Sequence, residues 1–337
     1  MEENVAVTIK DVAEAAGVSI SAVSYAINNS GPVSEEKRLR IMQAVEELGY
    51  VQNGMARSLR MQKKGFIGYF ANSLFGAFYG EVLKGIEEVF SKNNKELVAG
   101  KCNRMQNELQ VIRLLTEKMT DGAIIFSPRI SDEMIMKLAS KDFPVVVLDR
   151  ELYGEHISSV LIDNEGSAYK VGEHIASVGL KTVACLRGDG FDGEQRMQGF
   201  LNAVEHYGLE IRPEWILDAE WKEEIAYERT LELIKTGNVP QAIFAFNDEM
   251  AKGSMEALKD MGLRIPEDVS VIGVDDIVIS KYLSPRLTTV HRPLYELGVL
   301  AAHTLLEMQE GGKSKHIVLT TNLIERDSCI KKENMGC

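Results

Sequence analysis

From Gly65 onward the chain alternates short runs of Val, Ile and Phe with amphipathic segments of helix length, and this alternation limits the fold more than any other feature. The first series reads FIGYFA, a helix over 80–90, ELVAG, a helix over 108–118, GAIIF, a helix over 132–139, then PVVVLD. A second follows with SVLID, a helix over 167–177, TVACL, helices over 194–207 and 223–235, AIFAF, a helix over 248–259, then VSVIGVDD. Strands separated by helices cannot pair as hairpins, so they line up in parallel with helices on both faces. Two such series predict two similar, doubly wound α/β subdomains. A ligand cleft belongs at the carboxyl ends of their strands. The tail adds a strand (LTTVHRP), a helix over 294–308 and strands within HIVLTTNLIER.

The first 62 residues obey another rule, that of short amphipathic helices. Thr8 can cap the first, with Asp11 three residues on and Ile9, Val12, Ala13 and Ala16 on its buried face. Gly17 supplies a tight turn, and Ser19 caps a second helix from Ile20 to about Ile27 with Val23 and Ile27 inward. Ser34 opens a third with Ile41, Val45 and Leu48 as its stripe, and Gly49 ends it. Residues 53–61 can form one more short helix, with too little apolar surface to hold it alone.

A length of 337 residues predicts two or three domains, and 45% hydrophobic with 26% charged residues suits a soluble globular protein. No apolar run approaches the ~20 residues of a membrane span. The beginning lacks the basic and apolar stretches of an export signal, so a cytoplasmic protein without membrane partners is expected. Cys102, Cys185, Cys329 and Cys337 are scattered and read as free thiols, and the six histidines have no metal-ligand spacing. No metal and no cofactor is expected. The net charge of −12 lies entirely beyond residue 64, because residues 1–64 are neutral overall. Any DNA contact must therefore come from placed side chains and backbone amides rather than a general positive field. No nucleophile elbow is present, RGDGFDG at 187–193 lacks both phosphate-loop patterns, and neighbouring Asp275 and Asp276 should diverge at a strand end. The chain does not read as an enzyme.

The stretch VTIKDVAEAAGVSISAVSYAINNSGPVSEEKRLRIMQAVEELGYVQNGMARSL resembles the DNA-binding head of the LacI/GalR family of transcription regulators. VVVLDR at 145–150, EQRMQGF at 194–200, FAFNDEMAKG at 244–253, VIGVDD at 271–276 and LTTVHRP at 287–293 extend the resemblance to the family's core, whose fold is that of periplasmic binding proteins. It implies a helix-turn-helix domain over 1–51 and a hinge helix with linker over 52–64. The core then divides into an N-terminal subdomain over 65–163 and 291–323 and a C-terminal one over 164–290 and 324–337. The second helix would lie in the major groove, with Ile20, Ser21 and Tyr25 reading bases. Tyr25 stands where relatives often carry Arg, which removes a bidentate guanine contact. Thr8, Ser19, Ser24, Asn28 and Asn53 are candidate phosphate contacts, with helix capping the other role open to Ser19. Leu59 holds the position of a minor-groove wedge, or else of dimer core, with Arg57 and Arg60 beside it for phosphates. Gln52 replaces the proline common before the hinge.

In the core, the resemblance implies effector contacts at Phe75, Asp149, Arg196, Trp221, Asn247 and Asp275. Carboxylate, amide and guanidinium groups bond hydroxyls, and an aromatic face covers the apolar side of a ring, so a sugar or sugar derivative fits them. Arg196 could equally hold a carboxylate or phosphate. Phe75 and Trp221 could instead be core residues, and Asp275 a turn cap. The expected function is a homodimeric repressor that binds a near-palindromic double-stranded DNA operator under the control of a small effector. A regulator controlled by a protein corepressor is the alternative; a solute-binding protein would need an export signal and no DNA-binding head.

Overall fold

The structure is a computed structural model that describes residues 7–28, 30–50, 65–102, 115, 117 and 119–329. It divides into two compact units, residues 1–64 and 65–337.

In the first unit, helices α1 (Ile9–Ala16), α2 (Ile20–Asn28) and α3 (Glu35–Leu48) enclose a small core. The Asp11 carboxylate accepts from both the backbone N–H and the hydroxyl of Thr8 at 2.7 Å, which fixes the start of α1. Gly17 and Gly49 end α1 and α3 at φ near +60°, a conformation that glycine adopts without a Cβ penalty. The core is Val12, Ala13, Ala16, Val23, Ala26, Ile41 and Ala44. Alanines therefore fill two contacts expected of larger residues. Ile27 and Val45 are only half-buried and Leu48 is exposed, because helices this short meet over Ala26 and Ala44 and leave bulkier side chains at the rim. Ser34 stands at the cap position of α3 without a side-chain hydrogen bond. The helix expected over 53–61 lies outside the described residues.

The second unit holds two six-stranded sheets. The first contains β1 (Phe66–Ala71), β2 (Glu96–Lys101), β3 (Ala123–Phe126), β4 (Val145–Leu148), β5 (Ile157–Ile162) and β11 (His316–Leu319), in the order β11-β5-β4-β3-β1-β2. The second contains β6 (Val183–Arg187), β7 (Ile216–Asp218), β8 (Ala242–Ala245), β9 (Ser270–Asp275), β10 (Thr288–His291) and β12 (Asn322–Ile324), in the order β12-β10-β9-β8-β6-β7. Every pairing is parallel except the β10–β12 edge. The two sheets share one topology, with a switch point between the first and third strand of each. Central strands such as β3 and β4 are buried along their whole length, as sheets covered on both faces require.

Among the described residues, seven helices of this unit serve the sheets: α4 (Ala77–Lys92), α5 (Asp132–Leu138), α6 (Asn164–Ser177), α7 (Gly190–Tyr207), α8 (Glu223–Lys235), α9 (Asp248–Asp260) and α10 (Leu294–Gln309). They pack in pairs, α4 with α10, α6 with α7 and α8 with α9. Glycine sets each spacing. A Cβ on Gly85 would stand 2.2 Å from the Tyr295 carbonyl oxygen, and one on Gly298 2.1 Å from that of Val82. The chain crosses between the sheets after β5, after β10 and after β11. Since His291 pairs with Asp275 and Asn322 with His291, both residues belong to the second sheet. The expected boundaries at 291 and 323 accordingly move to 292 and 321. The helix expected over 108–118 falls almost wholly outside the described residues.

Candidate functional site

In the head, the turn at Gly17 sets α2 across α1 with one face free. Ile20, Ser21 and Tyr25 are all exposed on that face, so the three expected base-reading side chains stand together. Ser19 caps the helix, its hydroxyl accepting from the Ala22 N–H at 3.3 Å and lying 3.0 Å from the Ser21 hydroxyl. Asn28 donates to the Ser24 carbonyl at 2.8 Å. The Tyr25 ring lies against Gly31, where a Cβ would come within 2.7 Å of it. Arg38 reaches back from α3 to the Ala26 carbonyl at 3.0 Å, bracing the end of α2 where its carbonyls lack helical partners. Thr8 already donates its hydroxyl to Asp11, so meeting a phosphate as a donor would break that bond. Lys10, Lys37 and Arg40 are exposed. Asn53, Arg57, Leu59 and Arg60 lie outside the described residues.

In the core, a cavity of about 540 Å³ opens between the carboxyl ends of the two sheets. Asp149, Arg196, Trp221, Asn247 and Asp275 all line it. Phe75 does not: it is 78% exposed before the start of α4. Its aromatic place is taken by Phe78 and Tyr79 on the first turn of that helix, which cluster with Phe126 at centroid distances of 5.0–5.7 Å. Sequence reasoning also passed over Arg292 and Asp192, although both lie in segments it had singled out, LTTVHRP and RGDGFDG.

The second subdomain supplies one wall. Arg196 on α7 is buried and donates through Nε to Asn164 Oδ1 at 3.0 Å and through Nη1 to the Phe246 carbonyl, both neutral acceptors. Its guanidinium lies 5.3 Å from the centre of the Trp221 ring. Trp221 is held at φ 61° and donates its indole N–H to the Asp189 carbonyl at 3.1 Å. Gly188 makes room for the ring, since a Cβ there would fall 2.0 Å from it. Asn247 caps α9, its Oδ1 accepting from the Met250 N–H at 2.7 Å. Behind this wall the buried Asp248 accepts from the Ile277 N–H and from the Ser280 and Thr289 hydroxyls, which anchors the loop after β9.

Arg292 forms the floor. It donates to Asp149 Oδ2 at 2.5 Å and to Asp275 Oδ1 at 3.3 Å, and its guanidinium lies 5.2 Å from the centre of the Phe78 ring. Burial works against the Arg292 charge, but the carboxylates of Asp149 and Asp275 outweigh it and hold the proton more firmly. Burial pushes Asp275 above the usual carboxylate range, with Arg292 and Arg196 opposing. Asp275 is therefore a partner of arginine and not a turn cap. Asp276 turns away to accept from Arg326 at 2.5 Å, with His291 Nδ1 at 3.1 Å, so the two neighbouring carboxylates do diverge. Burial, reinforced by the Asp149 charge, raises Asp192 to about 7. Polar hydrogen-bonding groups over aromatic faces give this cavity the means to hold a small polyhydroxylated molecule.

Among the described residues, no helix is long and apolar enough to cross a membrane. Residues 8–53 match the model for bacterial regulatory proteins of the lacI family, and residues 173–329 match that for a periplasmic binding protein-like domain. The chain is 34% identical over 331 residues to a probable HTH-type transcriptional repressor, ExuR, of Bacillus subtilis (strain 168), covering 96% of this chain and 98% of the relative. The solved lac repressor dimer bound to operator and the anti-inducer ONPF is 26% identical, with a TM-score of 0.82 over 97% of this chain and all of that one. The complex of the transcriptional regulator CelR with cellobiose is also 26% identical, with a TM-score of 0.73 over 96% of this chain and all of that one. A helix-turn-helix head, twin parallel sheets around a cavity and relatives matched over nearly their whole length agree: the chain belongs to the LacI family of bacterial transcription regulators.

Proposed function

We propose that the chain is a homodimeric transcriptional repressor whose grip on a near-palindromic operator is set by a sugar or sugar derivative in the core cavity. The observation that carries the effector reading is the convergence of Asp149, Arg196, Trp221, Asn247 and Asp275, drawn from five separate chain segments, on one cavity. Ile20, Ser21 and Tyr25 are read as the base contacts, and Ser19, Ser24, Asn28 and Asn53 as phosphate contacts. Leu59 serves as the minor-groove wedge with Arg57 beside it. The lac repressor relative is a dimer on operator, and the CelR relative holds cellobiose. Those complexes support two-fold operator binding and a sugar-like effector here. Val278, Ile279 and Tyr282, exposed together on one short segment, suit burial against a second copy. A repressor works where the chromosome is, which places the protein in the cytoplasm, and the cavity is assigned to binding rather than catalysis.

A thermal-shift screen of the purified protein against sugars, sugar phosphates, uronates, nucleosides and amino acids tests the effector reading. A ligand that binds only the folded state raises the melting temperature by mass action. A sugar-class compound should do so, and at equal concentration its effect should be smaller in Trp221→Ala. A positive result confined to nucleosides or amino acids would overturn the sugar assignment.

A further inference from the structure

We propose that Arg292 is a charge clasp that holds the two core subdomains together at the floor of the cleft. Asp149 follows β4, the fourth strand of the first sheet, and Asp275 ends β9, the fourth strand of the second. They are equivalent positions in two copies of one topology, and Arg292 spans both with one guanidinium. It can do so because it sits where the chain leaves β10 to cross to the other subdomain, one residue beyond the pairing of His291 with Asp275. All three side chains are buried. Both aspartates adopt positive φ, 44° and 120°, and Asp149 Oδ1 also accepts from the Ile162 N–H at 3.1 Å. Such backbone persists only where the surroundings over-determine it, and here they aim two carboxylates from different subdomains at one cation.

The trio has one positive and two negative charges. Without Arg292 two carboxylates face each other in a poorly screened site, and their repulsion acts along the line joining the subdomains. At a pH that keeps both ionised, the relief left to them is separation, which is cleft opening, whereas at lower pH one of them can take up a proton instead. Arg292 is thus a positioning residue whose pull sets how far apart the subdomains rest, and an effector must shift that balance to signal. The link to signalling rests on the proposed effector function; the clasp itself is tested on the ligand-free protein, so either can fail without the other.

The test is a distance measurement by electron spin resonance on the full chain, in a Cys337→Ser background, with spin labels at Glu133→Cys on α5 and Glu194→Cys on α7. Both positions are exposed, one in each subdomain, and Cys102, Cys185 and Cys329 are buried. Arg292→Gln should lengthen the mean distance by about 3 Å or more, the scale of hinge rearrangements, and broaden its distribution. Arg292→Lys, which keeps the charge and gives up the two-pronged geometry, should fall between that variant and the parent. Asp149→Asn with Arg292→Gln and Asp275→Asn should return the distance toward the parent value, because the two carboxylates that repel each other are gone. If Arg292→Gln and Arg292→Lys both match the parent, the clasp is refuted. If the triple variant is as open as Arg292→Gln alone, Arg292 acts as a spacer and the charge argument fails. If Arg292→Gln does not fold, Arg292→Lys at the parent distance refutes the clasp by itself, and a triple variant more open than Arg292→Lys refutes the charge argument.

Discussion

Three glycine-to-alanine substitutions, two in α4 and one in α10, separate helix propensity from helix packing. Gly80 lies on the exposed side of α4 with nothing within 4 Å of where a Cβ would stand, whereas the Cβ of Gly85→Ala, five residues on, would stand 2.2 Å from the Tyr295 carbonyl oxygen. Ordinary contact begins at 3.4 Å, and the obstacle is backbone, which has no rotamer to change. The two helices must part by about 1 Å, and a gap of that order forfeits a quarter to a half of each dispersion contact across the seam. Val82, Ile86, Leu297 and Ala301, all buried there, bear the loss. A cost of about 3–5 kcal/mol, as for a large core truncation, is offset by about 1 kcal/mol of helix propensity. Gly85→Ala should therefore destabilise the core by about 2–4 kcal/mol, while Gly80→Ala should stabilise it by up to about 1 kcal/mol. Gly298→Ala, whose Cβ would stand 2.1 Å from the Val82 carbonyl, should match Gly85→Ala. Urea denaturation followed by far-ultraviolet circular dichroism reads all three midpoints. Equal midpoints for Gly80→Ala and Gly85→Ala would refute the close-contact reasoning.

Other outcomes follow from the cavity, the head and the thiols. Asp192, raised to about 7 in the fold against 3.8 for a free carboxyl, binds more protons folded than unfolded between those values. Its contribution to stability is present at low pH and declines as pH rises from about 4 to about 7. The stability–pH slope in that window should be less negative in Asp192→Asn than in the parent, and parallel slopes would contradict the burial of its charge. Trp221→Ala should weaken effector binding about tenfold, near 1.4 kcal/mol, by titration calorimetry with whichever compound the screen identifies, and unchanged affinity would remove the ring from the site. Gly31→Ala should disturb Tyr25 and lower operator affinity without altering the melting of the core; intact DNA binding would show that the Tyr25 position is dispensable. Burial pushes the Cys185 and Cys329 thiols up to about 12, so native protein should leave both unreacted with a thiol reagent at pH 8 that labels them in urea.

The twin α/β architecture was legible because strands buried on both faces need continuous apolar runs, and AIIF, VVVL and AIFA are such runs. Ile216–Asp218 left no such trace: three residues at a sheet edge, one of them Asp, have no periodicity to read. Helix starts slipped for a related reason. Helix α7 begins at Gly190 rather than Glu194, since the polar first turn of a helix that lines a cleft carries little apolar signal. At the site, five of the six expected effector residues share the cavity because they sit at strand ends or helix starts, which topology places at one edge. Phe75 missed because it precedes the helix whose first turn carries the aromatic contact, and three positions of chain suffice to move a ring from wall to solvent. Arg292 went unread because its role depends on two aspartates 143 and 17 residues away, a proximity created only by the third dimension.

The three crossings between the sheets also govern how the chain can be made. The first sheet takes its outer helix from Leu294–Gln309 and its edge strand from His316–Leu319, although the chain has already entered the second subdomain at Asn164. During synthesis, β1 to β5 therefore leave the ribosome well before the helix that covers them, and their Val- and Ile-rich face must wait for the second subdomain to emerge. Domains that close by such distant returns fold slowly and expose adhesive surface in the interval. The same return that lets one arginine touch both halves ties their completion to the last fragment of chain, so a nascent repressor should lean on chaperones until its final strands arrive.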